Sequence, residues 1–286
     1  MVDFINIKRL SEAEFRKFAD LIYQESGIFL KEAKITLLSN RLRKRLKALN
    51  LDSFSDYFNY IHSLRDRSKE IEALLDVVST NETYFFRNER QFDAFSKHCL
   101  PEFAEKKKDK RLRIWSAGCS TGEEAYTLAI CVLERIHAFP EWHIEIIATD
   151  IAPSVLAFAQ EGHYSGRRIE KVPEDLLKKY FTPDTECPEV YCIKDSVKKL
   201  VSFKYLNLFK NPYPQNLDVI FCRNVMIYFD KEHQMKLIKS FHEVLHRDGY
   251  LFIGHSETLH SISDDFAYAK IEESPVYIPK ERKNGI

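Results

Sequence analysis

One stretch of the chain constrains its fold more than any other. An apolar run, Arg111–Ala117, has the length and composition of a buried strand. A short loop with two glycines follows, and residues 123 to about 137 then carry apolar side chains at helical spacing. A second apolar run at 144–149 ends on Asp150. Strand, glycine loop, helix, strand and acid in this order are typical of the nucleotide-binding half of a doubly wound α/β fold.

The charges beside the glycine loop narrow the choice of ligand. Glu123 and Glu124 occupy the first helical turn, where free N–H groups would otherwise attract a phosphate. Two carboxylates there repel a pyrophosphate and favour a cationic ligand. Asp150 can accept hydrogen bonds from both hydroxyls of an unphosphorylated ribose. A ribose with a cationic tail and no phosphate describes S-adenosylmethionine; the simpler alternative is that the two glutamates only stabilise the helix start.

Composition restricts the class of protein. The chain has 286 residues, which is enough for one large domain and a smaller one. Its 43 basic and 43 acidic residues balance, so no global field draws it to nucleic acid or to a membrane surface. The six cysteines form no Cys-x-x-Cys pair, which argues against a metal site or a disulfide framework. We expect a cytoplasmic monomer without a signal peptide or a membrane span.

The first part of the chain has helical periodicity and no strand pattern. We therefore predict an all-α N-terminal domain over residues 1–90 and an α/β domain over 91–286. A predicted helix at about 32–49 is rich in cations, and no acid lies among them. These cations are Arg41, Arg43, Lys44, Arg45 and Lys47. The basic face is either a solvated surface or a docking surface for an acidic partner, and composition supports both equally. Nucleic acid is a poorer partner, because aromatic residues do not interleave with the basic ones.

Residues 164–200 interrupt the alternation of strands and helices. Three prolines and short strand-like runs predict a small antiparallel β-subdomain with one helix at about 174–180. Long insertions in compact domains tend to serve recognition.

Polar residues follow the next two predicted core strands. The strand at 201–205 leads to Asn207, and the strand Leu217–Cys222 is followed by Arg223 and Asn224. Ligands of open α/β sheets bind beyond the carboxyl ends of the strands. These three side chains are therefore candidate contacts for an adenosine or for the reacting group.

Four motifs in the chain have a specific order and spacing. They are Asn-Glu-Thr-Tyr-Phe-Phe-Arg (81–87), Ser-Ala-Gly-Cys-Ser-Thr-Gly-Glu-Glu (116–124), Ala-Thr-Asp-Ile (148–151) and Phe-Cys-Arg-Asn-Val-Met-Ile-Tyr-Phe-Asp (221–230). From about residue 11 to residue 278 the chain resembles the bacterial chemotaxis protein methyltransferases, the CheR family. The resemblance implies a Rossmann-like class I S-adenosylmethionine-dependent methyltransferase domain with a small antiparallel β-subdomain insertion, preceded by an all-α domain.

The resemblance also implies an activity and its residues. Members of the family transfer a methyl group from S-adenosylmethionine to glutamate carboxylates of methyl-accepting chemotaxis receptors, leaving S-adenosylhomocysteine and using no metal. The positions that match the family's donor-binding residues are Asn81, Thr83, Arg87, Glu123, Asp150, Asn207, Leu208, Arg223 and Asn224. Arg87 and Tyr228 match the positions proposed to assist methyl transfer.

The partners are implied in the same way. The basic helix matches the face that docks on the receptor's cytoplasmic helical methylation region, through Arg41, Lys44, Arg45 and Lys47. The β-subdomain matches the part that, in some members, grips a peptide at the receptor's C-terminus. Its loop between residues 181 and 191 contains no glycine.

Elementary chemistry fits this reaction. A glutamate side chain is ionised at neutral pH, so it attacks without a general base. The enzyme must supply in-line positioning and removal of water. Arg87 could hold the carboxylate and Tyr228 could donate a hydrogen bond to it. The simpler alternative for each is that it only pairs or packs locally.

Two other functions stay open on the residues alone. The chain could be a methyltransferase for nucleic acid or a small molecule, although Arg223-Asn-Val-Met stands where an aromatic-proline tetrapeptide would favour base methylation. It could also be a scaffold that keeps the fold without catalysis, which the intact Arg87, Glu123, Asp150 and Tyr228 argue against.

Overall fold

The computed structural model describes residues 9–135, 141–210 and 212–280. The first part of the chain forms four amphipathic helices: α1 (Glu12–Ser26), α2 (Ile35–Leu49), α3 (Phe54–Ser63) and α4 (Ser68–Val78). α1 begins at a capping box, in which Ser11 and Glu14 each accept a hydrogen bond from the other's backbone N–H. The apolar faces of the four helices bury one cluster around Phe18, Leu42 and Tyr57.

The second part begins with a broken helix and continues as alternating strands and helices. Its helices are α5 (Glu89–Ala94), α6 (Leu100–Lys106), α7 (Glu123–Glu134), α8 (Pro153–Glu161), α9 (Glu174–Tyr180), α10 (Asp195–Lys198) and α11 (Lys231–Val244). Its strands are β1 (Arg111–Ala117), β2 (His143–Asp150), β3 (His163–Ser165), β4 (Phe181–Pro183), β5 (Val190–Ile193), β6 (Val201–Tyr205), β7 (Leu217–Cys222), β8 (Leu245–Ile253), β9 (Phe266–Ile271) and β10 (Ser274–Pro279). A π-helical turn, Phe95–Cys99, joins α5 to α6.

Seven of these strands form one sheet in the order β6-β2-β1-β7-β8-β10-β9. The first five strands of this order are parallel, and β10 is antiparallel to both of its neighbours. The chain moves from β1 to β2 on one side and later returns to pair β7 on the other. The strand order therefore reverses at β1, and ligands of doubly wound folds bind at such a switch point. The predicted α/β class is confirmed.

Both faces of the sheet are buried. On one face, Ile114 and Phe221 belong to an apolar cluster that includes side chains of α7. On the other face, Trp115 and Ile220 belong to a cluster that includes side chains of α11. Burial on both faces explains why the parallel strands are continuous apolar runs in the sequence.

The insertion after α8 folds into a small antiparallel sheet in the order β3-β5-β4, with α9 beside it. The predicted antiparallel β-subdomain is confirmed. The predicted end of the helix after the glycine loop is not fully tested, since α7 ends at Glu134 and residues 136–140 lie outside the described part.

The helical part and the α/β part are joined through main-chain contacts. Ile28 forms an isolated antiparallel bridge with Phe229, and the Phe29 N–H donates to the Tyr228 carbonyl at 2.8 Å. The Asn207 side-chain amide donates to the Glu25 carbonyl at 2.7 Å. The loop after β7 is thereby held against the segment that follows α1.

None of the helices in the described ranges combines the length and the apolarity that a bilayer crossing requires.

Candidate active site

A cavity of about 770 Å³ lies between the helical part and the carboxyl ends of β1, β2 and β7. This volume is in the range of sites that enclose a cofactor-sized molecule. Residues from both parts line it, with Ser120, Asp150 and Asn224 on the sheet side and Phe29 and Arg41 on the helical side. The cavity is therefore enclosed by both parts of the chain.

The backbone N–H groups of the glycine loop are bonded to the end of β2. The N–H groups of Gly118 and Cys119 donate to the Thr149 carbonyl at 2.8 and 2.9 Å. The Ser120 N–H donates to Asp150 Oδ2 at 2.8 Å. A phosphate-binding loop needs such N–H groups free to face the ligand. In this loop the N–H groups of residues 118–120 donate to β2 instead, which is a stronger argument against a phosphorylated ligand than the two glutamates are.

Gly118 has a structural reason to be glycine. Its φ is +84°, and a Cβ there would lie 2.5 Å from Val225 Cγ2. The loop after β7 can therefore approach the glycine loop closely only if residue 118 has no side chain.

Asp150 ends β2 and faces the cavity. Its Oδ2 accepts from Ser120 N, and its Oδ1 accepts from Ala152 N at 3.0 Å. Burial raises the pKa of this carboxyl, and the hydrogen bonds from backbone N–H groups oppose that rise. Each carboxylate oxygen has two lone-pair sites, so acceptor capacity is left for the hydroxyls of a ribose.

The two glutamates of α7 have different environments. Glu124 lines the cavity, and its carboxylate accepts from Ser116 Oγ at 2.7 Å and from Arg223 Nη1 at 3.1 Å. Glu123 is fully buried behind the loop, where it pairs with Arg168 of the β-subdomain. Consecutive helical residues point about 100° apart, and of these two glutamates only Glu124 is among the described residues that line the cavity. The donor contact expected at Glu123 stays a prediction.

Arg223 lies beneath the cavity with 6% of its surface exposed. Besides Glu124, its guanidinium contacts the Arg87 backbone carbonyl and lies 5.2 Å from the centre of the Phe92 ring. Burial lowers the pKa of this guanidinium, and the charge of Glu124 opposes the shift. Arg223 Nε has no partner among the described residues. This buried donor is the kind of group that a bound ligand satisfies.

Arg87 and Tyr228, the predicted catalytic residues, both line the cavity. Arg87 Nη1 donates to the Glu82 carbonyl at 2.7 Å, and the guanidinium lies 5.8 Å from the centre of the Tyr84 ring. A guanidinium has five N–H donors, so this contact leaves further donors for a carboxylate.

The remaining predicted donor contacts also line the cavity. They are Asn81, Thr83, Asn207, Leu208 and Asn224. The Asn81 carbonyl accepts from Ser120 Oγ at 2.9 Å, which joins the first motif to the glycine loop.

The four predicted docking cations of α2 separate into three groups. Arg41 turns into the cavity mouth and donates to Thr80 Oγ1 at 2.7 Å. Arg45 forms a two-point ion pair with Glu70, at 3.0 and 2.7 Å, and only 18% of its side chain is exposed. Lys44 and Lys47 are exposed. The basic face is therefore smaller than the sequence suggests, because an acid from α4 neutralises Arg45.

Several lining residues were not predicted. Phe29, Leu37 and Ile227 are large exposed apolar side chains at the mouth, and Lys31 and Lys34 lie beside them. The two lysines precede α2 by a few residues, so extending the basic pattern toward the N-terminus would have indicated them. No sequence signal places Ile227 opposite Phe29.

Within the described ranges, no group of three or more His, Cys, Asp or Glu side chains is arranged to hold a metal ion.

Comparison with known proteins identifies the family. Residues 81–274 match the model described as CheR methyltransferase, SAM binding domain, and residues 13–79 match CheR methyltransferase, all-alpha domain. The chain is 40% identical to a chemotaxis protein methyltransferase of Borreliella burgdorferi, over 87% of this chain and 89% of that protein. It is 34% identical to chemotaxis protein methyltransferase 2 of Vibrio cholerae, over 94% and 93% of the two chains. It is 35% identical to the chemotaxis protein methyltransferase of Escherichia coli, over 90% and 88%.

These matches cover both parts of the chain, and their SAM-binding description agrees with a loop that has no free phosphate cradle and with an acid at the end of β2. They do not favour a nucleic-acid or small-molecule methyltransferase, or a scaffold without catalysis. The resemblance expected from the four motifs is confirmed, and the chain belongs to the CheR methyltransferase family.

Proposed function

We propose that this protein transfers the methyl group of S-adenosylmethionine to glutamate side chains of chemoreceptors, forming γ-methyl esters. The observation that carries the proposal is the make-up of one cavity. Its sheet side offers acceptors suited to a ribose, and its mouth offers the guanidinium of Arg87 and the hydroxyl of Tyr228. The names of the relatives, chemotaxis protein methyltransferases, support a chemoreceptor as the substrate.

The deep end of the cavity would hold the methyl donor. Asp150 would accept hydrogen bonds from the ribose hydroxyls, and the side chains of Asn81 and Asn224 can both donate and accept. Glu124 would face the positive charge of the donor. Thr83, Asn207, Leu208 and Arg223 complete the proposed donor set.

The mouth would hold the carboxylate that is methylated. The bound donor supplies an electrophilic methyl group on a positively charged sulfur. Arg87 and Tyr228 would orient the glutamate by charge-assisted hydrogen bonds, and the apolar side chains at the mouth would exclude water from it. No residue has to remove a proton, because the glutamate is already ionised at neutral pH.

The exposed Lys44 and Lys47 would dock the acidic helical methylation region of the receptor, together with Lys31 and Lys34 beside the mouth. We propose that residues 1–90 act as this docking domain, that the protein acts in the cytoplasm as a monomer, and that the β-subdomain is available for a receptor C-terminal peptide. Nucleic acid is not a proposed partner.

The test is methyl transfer from methyl-labelled S-adenosylmethionine to a receptor cytoplasmic fragment, followed by mild alkali. A γ-methyl ester releases its label as methanol, whereas a methylated amide or base keeps it. Asp150→Ala serves as the variant with weakened donor binding, at a donor concentration below the Kd expected for it. The proposal requires alkali-labile label on the fragment that depends on Asp150. Alkali-stable label, or label on added nucleic acid in place of the receptor, contradicts it.

A further inference from the structure

The turn after β7 carries several of the residues proposed to act in the cavity, and its backbone conformation is unusual. Asn224 has a φ of +60°, a left-handed conformation that asparagine tolerates better than most other non-glycine residues. A 3₁₀ turn, Met226–Tyr228, follows at once. Such a conformation persists only where its surroundings fix it, so the groups that hold this turn control where Asn224 and Tyr228 lie.

A single carboxylate, that of Glu257, holds the turn from the sheet side. Its Oε2 accepts from the Asn224 N–H at 2.9 Å and from the Gly254 N–H at 2.6 Å. Its Oε1 accepts from the Ile227 N–H at 3.2 Å. Hydrogen bonds from N–H groups to an ionised carboxylate are about twice as strong as bonds between neutral groups. Glu257 therefore joins both ends of the segment 224–227 to the end of β8.

Gly254 leaves the space that this carboxylate occupies. A Cβ at residue 254 would lie 2.5 Å from Glu257 Oε2 and 2.9 Å from the Asn224 nitrogen. A side chain at residue 254 would therefore displace the Glu257 carboxylate from the turn. The position of this carboxylate depends on a glycine at residue 254.

The turn is held from the opposite side by the helical part, where the Phe29 N–H donates to the Tyr228 carbonyl. Glu257 itself is half-buried and is not among the residues that line the cavity. It therefore has no direct access to a bound donor or to a glutamate in the cavity.

We infer that Glu257 is a positioning residue for methyl transfer: its carboxylate fixes the turn 224–228, so that Asn224 faces the donor and Tyr228 faces the glutamate. The roles of Asn224 and Tyr228 in this inference rest on the proposed function. The hold of Glu257 on the turn rests on the three hydrogen bonds alone.

Two variants test the inference. Glu257→Ala removes all three hydrogen bonds. Glu257→Gln keeps the size of the side chain but has one acceptor oxygen and an NH₂ group that cannot accept, so at least one of the three N–H donors loses its partner. Glu105→Gln, at an exposed position of α6, is the matched control.

Three quantities are measured for each variant: kcat with the KM for the receptor fragment, the Kd for S-adenosylhomocysteine by calorimetry, and amide hydrogen exchange over residues 223–230. For Glu257→Ala we expect kcat to fall by about 10- to 100-fold, as for a displacement of about 1 Å at a catalytic group. We expect the Kd to rise, faster exchange confined to the turn, and a receptor KM within about twofold of the wild type. Glu257→Gln should give smaller changes in the same directions, and Glu105→Gln none.

A variant that binds and turns over like the wild type overturns the inference, as does faster exchange spread evenly over the protein, which would mean general destabilisation. If the wild type forms no alkali-labile label on the receptor, the proposed function fails. The exchange and Kd measurements still decide whether Glu257 holds the turn.

Discussion

Arg223 connects the two ends of the cavity at the scale of single residues. Its guanidinium donates to Glu124 at the donor end and to the backbone carbonyl of Arg87 at the carboxylate end. A buried arginine with two such partners fixes their separation, because its planar donors have a set geometry. The proposed in-line arrangement of donor and glutamate therefore depends on the side chain of Arg223, which also belongs to the proposed donor set.

Replacing Arg87 by alanine should abolish most methyl transfer. The side chain supplies the donors proposed for the glutamate carboxylate, so we expect kcat/KM to fall by about 100-fold or more. The assay is labelled methyl transfer at saturating donor. Arg90→Ala, at an exposed position of the same segment, is the control. Near-normal turnover by Arg87→Ala would remove Arg87 from the site.

Glu123 has a structural role that can be tested apart from catalysis. Removing its partner in Arg168→Ala leaves a carboxylate buried with 0% exposure. We expect the free energy of unfolding to fall by about 3 kcal/mol, the lower end of the range for broken buried pairs, because Arg168 is partly exposed.

Urea unfolding of four proteins measures this effect. Adding Glu123→Gln to Arg168→Ala should restore part of the lost stability, since the double variant buries no unpaired charge. Arg167→Ala, at the exposed neighbouring position, should change stability by no more than about 0.5 kcal/mol. A double variant less stable than Arg168→Ala alone would contradict the assignment.

At the scale of elements, the sides of α2 have different surroundings. Its apolar side packs in the helical core, Arg41 borders the cavity, and Lys44 and Lys47 are exposed, where we propose that they meet the receptor. Charge reversal at both lysines should raise the KM for the receptor fragment about tenfold or more while leaving the Kd for S-adenosylhomocysteine unchanged. The effect should weaken at high salt, because exposed charges are screened.

The control for this prediction is a charge reversal far from the mouth. Lys239→Glu, exposed on α11, should leave the receptor KM unchanged. If Lys239→Glu raises the KM as much as the α2 variant does, the receptor fragment responds to the net charge of the protein and not to the lysines of α2.

Elements were predicted from sequence where local pattern decides them. The strand, glycine loop, helix and acid of residues 111–150 needed only periodicity and burial on both faces of a sheet. Sequence periodicity does not predict contacts between residues that are distant in sequence, such as the ion pair of Glu123 with Arg168 or the bridge of Ile28 with Phe229. Helix geometry predicts that Glu123 and Glu124 point in different directions. It does not predict which of them faces the cavity, because that depends on the assembled fold.

The basic face of α2 illustrates the same limit. Composition correctly gave five cations with no local acid, yet Glu70 neutralises Arg45 from another helix. A run of charges in the sequence describes a single helix. The net charge of a docking surface also depends on acids that other helices bring to it in the folded protein.

At the scale of the whole molecule, the helical part is held to the α/β part at the start of α11. Tyr23 of α1 donates to Asp230, which also accepts from the His233 N–H at 2.9 Å. Burial raises the pKa of Asp230, but hydrogen bonds from Tyr23 and His233 outweigh this and lower it to about 2. Because the pKa is lowered on folding, the contribution is complete above the usual value of 3.8 and is lost as the pH falls toward 2.

Tyr23→Phe tests this contact. At pH 7 the variant should be less stable than the wild type, because the charged Asp230 carboxylate loses one of its hydrogen-bond donors. The difference between the two proteins should shrink as the pH falls from about 4 toward 2, measured by urea unfolding at each pH. A difference that is constant down to pH 2.5 would mean that Asp230 is not the partner that matters.

The proposed function requires that one cavity, closed by both parts of the chain, binds S-adenosylmethionine through Asp150. Calorimetric titration with S-adenosylhomocysteine, on the wild type and on Asp150→Ala, tests this requirement. We expect one binding site in the wild type and at least about a tenfold weaker affinity in the variant, since the ribose hydroxyls would lose a charged acceptor. A wild type that does not bind, or a variant that binds equally well, would contradict the account.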